Sequence, residues 1–331
     1  LKWKFGCPNL TDDAGCTTGA NEIGQTWSLP NVAKIKGFSE STPIIVVGGG
    51  YDSCEDADTI TPACTGAKGR AVYVLNADTG AVLRTFTTLR SVAADVSLVD
   101  VDFDGFVDYG YAADTGGNIY RIDFVTPPNP AETNVDSTLT KDDWKFNRVA
   151  FTEGDGRKFL FGPALLNAGG QIYVALGSGD REHPLRTNYP FTSVVNRFYV
   201  YLDTLNASAA NDLDDATLFE DFTSSTSCST TKVIPGSSKK GWFMNLDQYG
   251  KGEQAVTQAV IISGLVIFST NCPLEPKPGS CESLLGEARG YQINLFNASG
   301  AFGSPSASCG LSRSSTFVGG GLPPSPVIGT A

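Results

Sequence analysis

The sequence predicts an all-β fold: a β-propeller with modified blades and long insertions, incomplete at both chain ends. Gly, Thr, Ser, Val, Asp and Asn dominate a chain that contains a single Met, and this is the composition of short strands joined by turns. A pair of strand-like elements also recurs along the chain, and long polar stretches separate its copies. We therefore expect residues 1–331 to form one partial propeller domain.

The first repeated element is a strand that ends near an aromatic residue and is followed by an acidic or amide turn, often with Gly. Apolar and polar residues alternate in these segments, which predicts strands. The Asp-Thr-Gly and Ala-Ser-Gly turns are typical of hairpins. The copies are residues 71–80, 118–123, 197–203 and 290–300. If the repeat is real, four tyrosines occupy equivalent blade positions: Tyr73, Tyr120, Tyr199 and Tyr291.

The second repeated element is an apolar strand that precedes each copy of the first, often opened by Pro or Ser. Its copies are residues 29–32, 96–99, 162–166 and 258–262, with a fifth at 325–328. Their starts lie about 65 to 95 residues apart, longer than the ~40 to 50 of common blades, so we expect insertions. The expected insertions are residues 52–68, 127–143, 206–240 and 273–286. An irregular β-sandwich is the alternative, but a sandwich gives no reason for this strand pair to repeat.

Charge and hydropathy exclude two classes of partner. The formal net charge is −11 and no basic cluster interrupts the sequence, which argues against a nucleic-acid partner. No apolar run approaches the ~20 residues that a membrane span needs. A secretion signal, if there is one, would lie upstream of Leu1.

The eight cysteines are predicted to form disulfides in an oxidising compartment, because none lies in a C-x-x-C pair and the chain has one His. Spacing favours the short-loop pairs Cys7–Cys16 and Cys54–Cys64, and then Cys272–Cys281. Eight cysteines allow 105 pairings, so Cys228 and Cys309 stay open with the rest.

An Asp-rich loop is the strongest local motif, with the pattern D-x-D-x-D-G-x-x-D. Calcium takes six to eight oxygen ligands at about 2.3–2.6 Å, and alternate residues of a tight loop direct their carboxylates at one centre. Gly105 permits the sharp turn. The predicted Ca²⁺ ligands are the side chains of Asp100, Asp102 and Asp104, the carbonyl of Phe106, and Asp108 directly or through water.

This loop differs from an EF-hand, which places a bidentate Glu at position 12. That position is Tyr111 here, in an apolar stretch that predicts a strand. The alternative is a solvated acidic hairpin turn, but four carboxylates in nine residues would then repel one another without compensation.

Catalytic patterns are weak, and we predict that the chain is not an enzyme. His183 lies near Ser178 and Asp180, too close in sequence for a triad drawn from separate loops, and neither a G-x-S-x-G elbow nor a P-loop occurs. The remaining enzyme hypothesis is a PQQ-type quinoprotein dehydrogenase, a propeller with calcium beside its cofactor. Such enzymes usually carry adjacent cysteines, which this chain lacks.

Several stretches, in order along nearly the whole chain, resemble the C-terminal propeller of the PilY/PilC family of type IV pilus biogenesis proteins, which are pilus-tip adhesins. They are residues 1–6, 24–30, 47–51, 100–108, 113–123, 177–185, 196–199, 240–246 and 319–327. The family's calcium site maps onto Asp100, Asp102, Asp104, Phe106 and Asp108 one by one.

The resemblance implies a calcium-dependent role in pilus extension and retraction, in adhesion and in surface sensing. The implied partners are pilins or minor pilins at the pilus tip and a host or abiotic surface. The implied location is extracellular, at the pilus tip or outer-membrane surface after export through the periplasm. The family's von Willebrand A-like region is expected upstream of this chain.

Overall fold

The computed structural model describes most of the chain. The described residues are 1–331 except 37, 39–40, 126–139, 153, 155, 207–208, 225–230, 276–277, 280–283, 305–309 and 328–331. They contain nineteen β-strands, one short 3-10 helix (Ser53–Asp56) and no α-helix, so the predicted all-β class is confirmed. Among these residues no helix is long and apolar enough to cross a membrane.

Contacts divide the chain into two compact units. The first comprises residues 1–57, 62–151 and 204–211, and the second comprises residues 58–61, 152–203 and 212–331. Each unit contains two of the four blade-like sheets that the sequence predicts.

The first unit holds two antiparallel sheets. The first sheet has the order β1-β2-β3-β4, and its strands are Asn31–Ala33, Ile44–Gly48, Ala71–Asn76 and Val82–Thr87. The second has β5-β6-β7-β8, and its strands are Ser97–Val99, Tyr109–Ala113, Asn118–Asp123 and Lys145–Phe151. The short strand β12 (Asn211–Asp212) extends the second sheet beyond β8.

The second unit repeats this plan with two more sheets. The third sheet has the order β13-β14-β11-β10-β9, and its strands in chain order are Ala164–Asn167 (β9), Ile172–Gly177 (β10), Arg197–Asp203 (β11), Phe219–Asp221 (β13) and Gly241–Asn245 (β14). The fourth is built on β17-β18-β19, with β15 and β16 paired to β17. Its strands are Gln254–Ala255 (β15), Val260–Ile262 (β16), Leu265–Cys272 (β17), Glu287–Asn294 (β18) and Ser314–Thr316 (β19).

Within each unit the two sheets pack face to face over one core. In the first unit, Val74 of β3 and Ile122 of β7 share a core with the buried Trp144. In the second, Trp242 of β14 and Phe268 of β17 belong to one cluster. Strands β3, β7 and β10 are buried along nearly their whole length. Apolar residues fill most of β3 and β10, whereas β7 also buries Asn118, Arg121 and Asp123.

The strand repeat predicted from the sequence is present. All four tyrosines lie on the third strand of their sheet, and each is paired with a residue of the second strand: Tyr73 with Val47, Tyr120 with Ala112, Tyr199 with Leu176 and Tyr291 with Phe268. Three of the predicted insertions, 52–68, 127–143 and 273–286, fall between strands of these sheets, whereas 206–240 contains β12 and β13, which are themselves sheet strands. Residues 127–139 and parts of two other insertions lie outside the described residues. The fifth apolar strand is wrong, because residues 325–327 are not in a strand, and Ile328 lies outside the described residues.

Two of the predicted disulfides are confirmed: Cys7–Cys16 and Cys54–Cys64. Cys272 is buried and has no disulfide partner among the described residues. Its predicted partner, Cys281, lies outside them, as do Cys228 and Cys309.

Candidate metal centre

The Asp-rich loop joins β5 to β6 in the second sheet, so both of its ends are fixed by strand pairing. The N–H of Asp108 donates to the carbonyl of Val99 at 3.0 Å, and the carbonyl of Asp108 accepts the N–H of Phe124 at 2.9 Å. The N–H of Val107 donates to the carbonyl of Lys34 at 2.9 Å. Three backbone hydrogen bonds, to Val99, Phe124 and Lys34, therefore fix the C-terminal end of the loop.

The turn of the loop is shaped by Asp100. Its two carboxylate oxygens accept the N–H groups of Phe103 at 2.7 Å and Gly105 at 2.8 Å. Both of these residues have positive φ, +61° for Phe103 and +89° for Gly105. A Cβ added at Gly105 would meet nothing within 4 Å, so Gly is favoured there by its backbone conformation and not by lack of space.

Three carboxylates converge in this turn. Asp100, Asp102 and Asp108 each offer one oxygen, and these three atoms lie within 4.8 Å of one another. Two oxygens on opposite sides of a calcium ion are separated by about 4.6–5.2 Å, twice the usual Ca–O distance. The three carboxylates are therefore close enough to bind one divalent cation together.

Asp104 is placed differently from the other three aspartates. Its Oδ2 lies 2.8 Å from Nζ of Lys36, and its Oδ1 accepts the N–H of Phe106 at 2.9 Å. The hydrogen bond from Lys36 lowers the pKa of Asp104, and the same contact raises the pKa of Lys36. The structure thus places Asp104 outside the carboxylate cluster, and the role of Asp104 and of the Phe106 carbonyl as ligands stays a prediction.

Asp108 is the carboxylate of the site whose ionised form is least favourable. It is only 5% exposed, and burial raises its pKa to about 6. The carboxylates of Asp102, Asp100 and Asp104 contribute to this rise in pKa, and the N–H of Val101, which donates to Asp108 Oδ2 at 2.7 Å, opposes it. A divalent cation at this position would stabilise the ionised form.

The comparisons with known proteins identify the family. The family profile described as "PilY1 beta-propeller domain" matches residues 1–170, just over half of the chain and all of the Asp-rich loop. This chain belongs to the PilY1 family. Type IV pilus biogenesis factor PilY1 of Pseudomonas aeruginosa, in strains PAO1 and PAK, is 24% identical over 174 residues, which are 51% of this chain and 13% of that protein. The chain therefore spans a small part of those relatives.

A solved structure supports the fold of this PilY1-family chain. The crystal structure of the Pseudomonas aeruginosa PilY1 C-terminal domain superposes with a TM-score of 0.61 at 14% identity, covering 91% of this chain and 68% of that one. The β-propeller prediction is thereby confirmed. A quinohemoprotein alcohol dehydrogenase from Pseudomonas putida HK5 aligns over 85% of this chain and 36% of its own length, at 12% identity and a TM-score of 0.38. That score is too low to carry an argument for the quinoprotein alternative.

The motif around His183 forms a buried polar cluster and not a nucleophile with its base. Ser178 donates its hydroxyl hydrogen to Asn196 Oδ1 at 3.0 Å. His183 Nδ1 instead lies 2.9 Å from Asp180 Oδ2, and that carboxylate also pairs with Lys158 at 2.8 Å. The hydroxyl of Ser178 is thus directed to Asn196, and the imidazole of His183 to Asp180.

The residue that the sequence analysis missed is Lys36. It lies 68 positions before Asp104, in a segment without a motif, and only the fold brings it to the loop. The described residues contain two other groups of potential metal ligands, each made of one aspartate and a disulfide: Asp13 with Cys7–Cys16, and Asp52 with Cys54–Cys64. Their sulfurs are already bonded to each other, so these groups lack free thiolates for a metal.

Proposed function

We propose that this chain is a calcium-binding propeller that acts in type IV pilus biogenesis. The observation that supports the calcium part is the convergence of Asp100, Asp102 and Asp108 in a braced turn. The pilus part is supported by membership of the PilY1 family and by the similarity to the type IV pilus biogenesis factor PilY1 of P. aeruginosa. On the basis of the same family membership, we propose that the partners are pilins or minor pilins and that the protein is located at the pilus tip or cell surface.

Calcium fits the proposed site better than magnesium. The loop supplies carboxylate oxygens, and Asp102 is exposed, so water has access to the remaining coordination positions. Calcium accepts six to eight such ligands in irregular geometry, whereas magnesium requires a compact octahedron and gives up its water reluctantly. Because the loop lacks the Glu of an EF-hand, we expect an affinity on the order of 10⁻⁶ to 10⁻³ M.

The ion could have a structural or a regulatory role, and only the regulatory role changes the extension and retraction of the pilus. As a structural element, calcium stabilises the β5–β6 hairpin. As a regulator, it changes the balance between pilus extension and retraction, and with it adhesion to a host or abiotic surface and surface sensing. We propose the regulatory role.

The test is titration calorimetry of the isolated chain with CaCl₂, using the wild type, Asp102→Asn and the control Asp142→Asn. Asp142 is an exposed aspartate outside the loop. We expect calcium heats for the wild type and the control and none for Asp102→Asn; equal heats for all three would place the ion elsewhere. The same substitutions in the full-length protein are then scored for surface pili and for twitching. Normal pili with lost binding would reduce the ion to a structural element.

A further inference from the structure

The single histidine of the chain lies between two carboxylates of the second unit. Its Nδ1 is 2.9 Å from Asp180 Oδ2, and its Nε2 is 3.7 Å from Asp58 Oδ1. The side chain of His183 is 11% exposed and that of Asp180 is 1% exposed, whereas Asp58 is half exposed. Asp58 belongs to residues 58–61, the part of the predicted insertion 52–68 that contacts assign to the second unit. One imidazole therefore lies between a buried carboxylate and a surface segment that is distant in sequence.

This arrangement depends on the protonation state of His183. A neutral imidazole has one N–H donor and one acceptor nitrogen, so it can donate to only one of two carboxylates. Its acceptor nitrogen would then face the oxygens of the other carboxylate. An imidazolium has a donor on each nitrogen, so it can pair with Asp180 and Asp58 at once. The two carboxylates are therefore both matched only when His183 is protonated.

The neighbouring cation leads to the same conclusion. Nζ of Lys158, a side chain that is 2% exposed, lies 2.8 Å from Asp180 Oδ2. Asp180 therefore has a cation beside it when His183 is neutral, although Lys158 also opposes the protonation of His183. Asp58 has no ion pair other than the one with His183 in the described part of the chain. Loss of the proton therefore leaves Asp58, and not Asp180, without a cation.

The other groups around His183 are uncharged or exposed. The ring of Tyr189 lies edge-on to the imidazole, with 5.7 Å between centroids. Gln254 Nε2 donates to the carbonyl of His183 at 3.4 Å. The charged chain neighbours Arg181 and Glu182 are exposed, and solvent screens their effect. The proton of His183 therefore acts mainly on the contact with Asp58.

Residues 58–61 are held in the second unit by few contacts besides this one. Asn188 Nδ2 donates to Asp58 Oδ2 at 2.7 Å. A Cβ added at Gly156 would overlap Cγ2 of Ile60, so Ile60 packs against the backbone there. The disulfide Cys54–Cys64 closes the chain on both sides of the segment and limits how far the segment can move. A change at His183 therefore alters a substantial part of what holds this segment.

We propose that His183 is a pH-dependent latch, which in its protonated form joins Asp58 to Asp180 and holds residues 58–61 in place. Histidine changes charge between about pH 5 and 8, so the latch is closed in acid and loosens as the pH rises. The latch is independent of calcium binding and of the pilus role.

The first test is an NMR titration of the isolated chain labelled at histidine, which gives the signals of one imidazole. Asp58→Asn keeps the shape of the side chain and an oxygen for Asn188, but it removes the charge. We expect this variant to lower the midpoint of the His183 titration by about 0.2–0.7 pH unit. Asp142→Asn, at an exposed aspartate of the first unit, should leave the midpoint unchanged. An unchanged or higher midpoint in Asp58→Asn would overturn the proposal.

The second test asks whether the segment responds to the proton. The methyl signals of Ile60, assigned with Ile60→Val, should shift with pH at the same midpoint as the imidazole of His183. His183→Gln should abolish this shift. That variant keeps Asp108, which burial brings to a pKa of about 6, so it also controls for titration of the Asp-rich loop. An Ile60 signal that does not titrate in the wild type, or that titrates equally in His183→Gln, would refute the latch.

Discussion

Asp108→Asn should have opposite effects on stability with and without calcium. Asparagine has the shape of aspartate and keeps an oxygen that can accept the N–H of Val101, so the turn should be preserved. It removes a negative charge that is buried beside the other carboxylates of the loop. In calcium-free protein that charge is unfavourable, and in calcium-bound protein it is a ligand.

The magnitude follows from the pKa of Asp108, which burial raises from 3.8 to about 6. A raised carboxyl pKa means that the folded state favours the protonated form, so the ionised form destabilises the fold. The penalty is absent below about pH 4, develops between pH 4 and 6, and is complete above pH 6. A shift of this size corresponds to about 3 kcal/mol. Solvent that reaches the neighbouring exposed carboxylates screens part of it, so we expect about 1–3 kcal/mol.

Urea denaturation followed by tryptophan fluorescence measures both effects. In EDTA at pH 7.5, Asp108→Asn should be more stable than the wild type by about 1–3 kcal/mol, and the difference should vanish near pH 4. With calcium at 100 times its Kd the wild type gains about 2.7 kcal/mol, while the variant gains much less, so the order becomes equal or reverses. A variant that is less stable than the wild type in EDTA would refute the electrostatic reasoning. Asp142→Asn controls for the loss of a surface charge.

Three further predictions concern the loop, the cysteines and the core. Lys36→Gln should strengthen calcium binding by about two- to fivefold in calorimetry, because it frees Asp104 from an exposed ion pair; weaker binding would mean that Lys36 supports the site. Thiol labelling of the denatured, unreduced protein should find no free cysteine, and two labelled cysteines would contradict the disulfide prediction. Trp242→Ala should cost about 3–5 kcal/mol in urea denaturation, since this side chain is fully buried and donates to the Leu295 carbonyl at 2.7 Å, whereas the exposed Trp27→Ala should cost little.

The repeating strands were predictable because their pattern is local. Each third strand carries an alternating apolar sequence with a Tyr, and each first strand is a short apolar run, so both elements appear in a window of ten residues. The predicted bounds of the apolar strand are less accurate: in the first sheet it was predicted to start at Leu29, whereas β1 starts two residues later, at Asn31. Pairing with β2 decides where the strand starts, and the sequence of the strand alone does not record it.

The candidate site was predictable only in part, for the same reason. The spacing of Asp100, Asp102 and Asp108 reflects the turn itself, and the structure brings these three together. Asp104 fits the same spacing, but its carboxylate is paired with Lys36. That contact forms only because the segment after β1 lies beside the loop in the folded protein. A sequence motif contains only residues that are close along the chain, so it cannot include Lys36.

Asp108 connects the proposed ion to the packing of the first unit. Its N–H donates to the carbonyl of Val99, the last residue of β5, and its carbonyl accepts the N–H of Phe124, the first residue after β7. The next residue back, Val107, is bonded to Lys34, which follows β1 of the other sheet in this unit. A cation held by Asp108 would therefore stabilise the ends of two strands and a contact between two sheets, more than one hairpin. Because a regulatory role requires a second state of these contacts, the decisive observation is whether hydrogen exchange at Val107 and Phe124 slows when calcium is added.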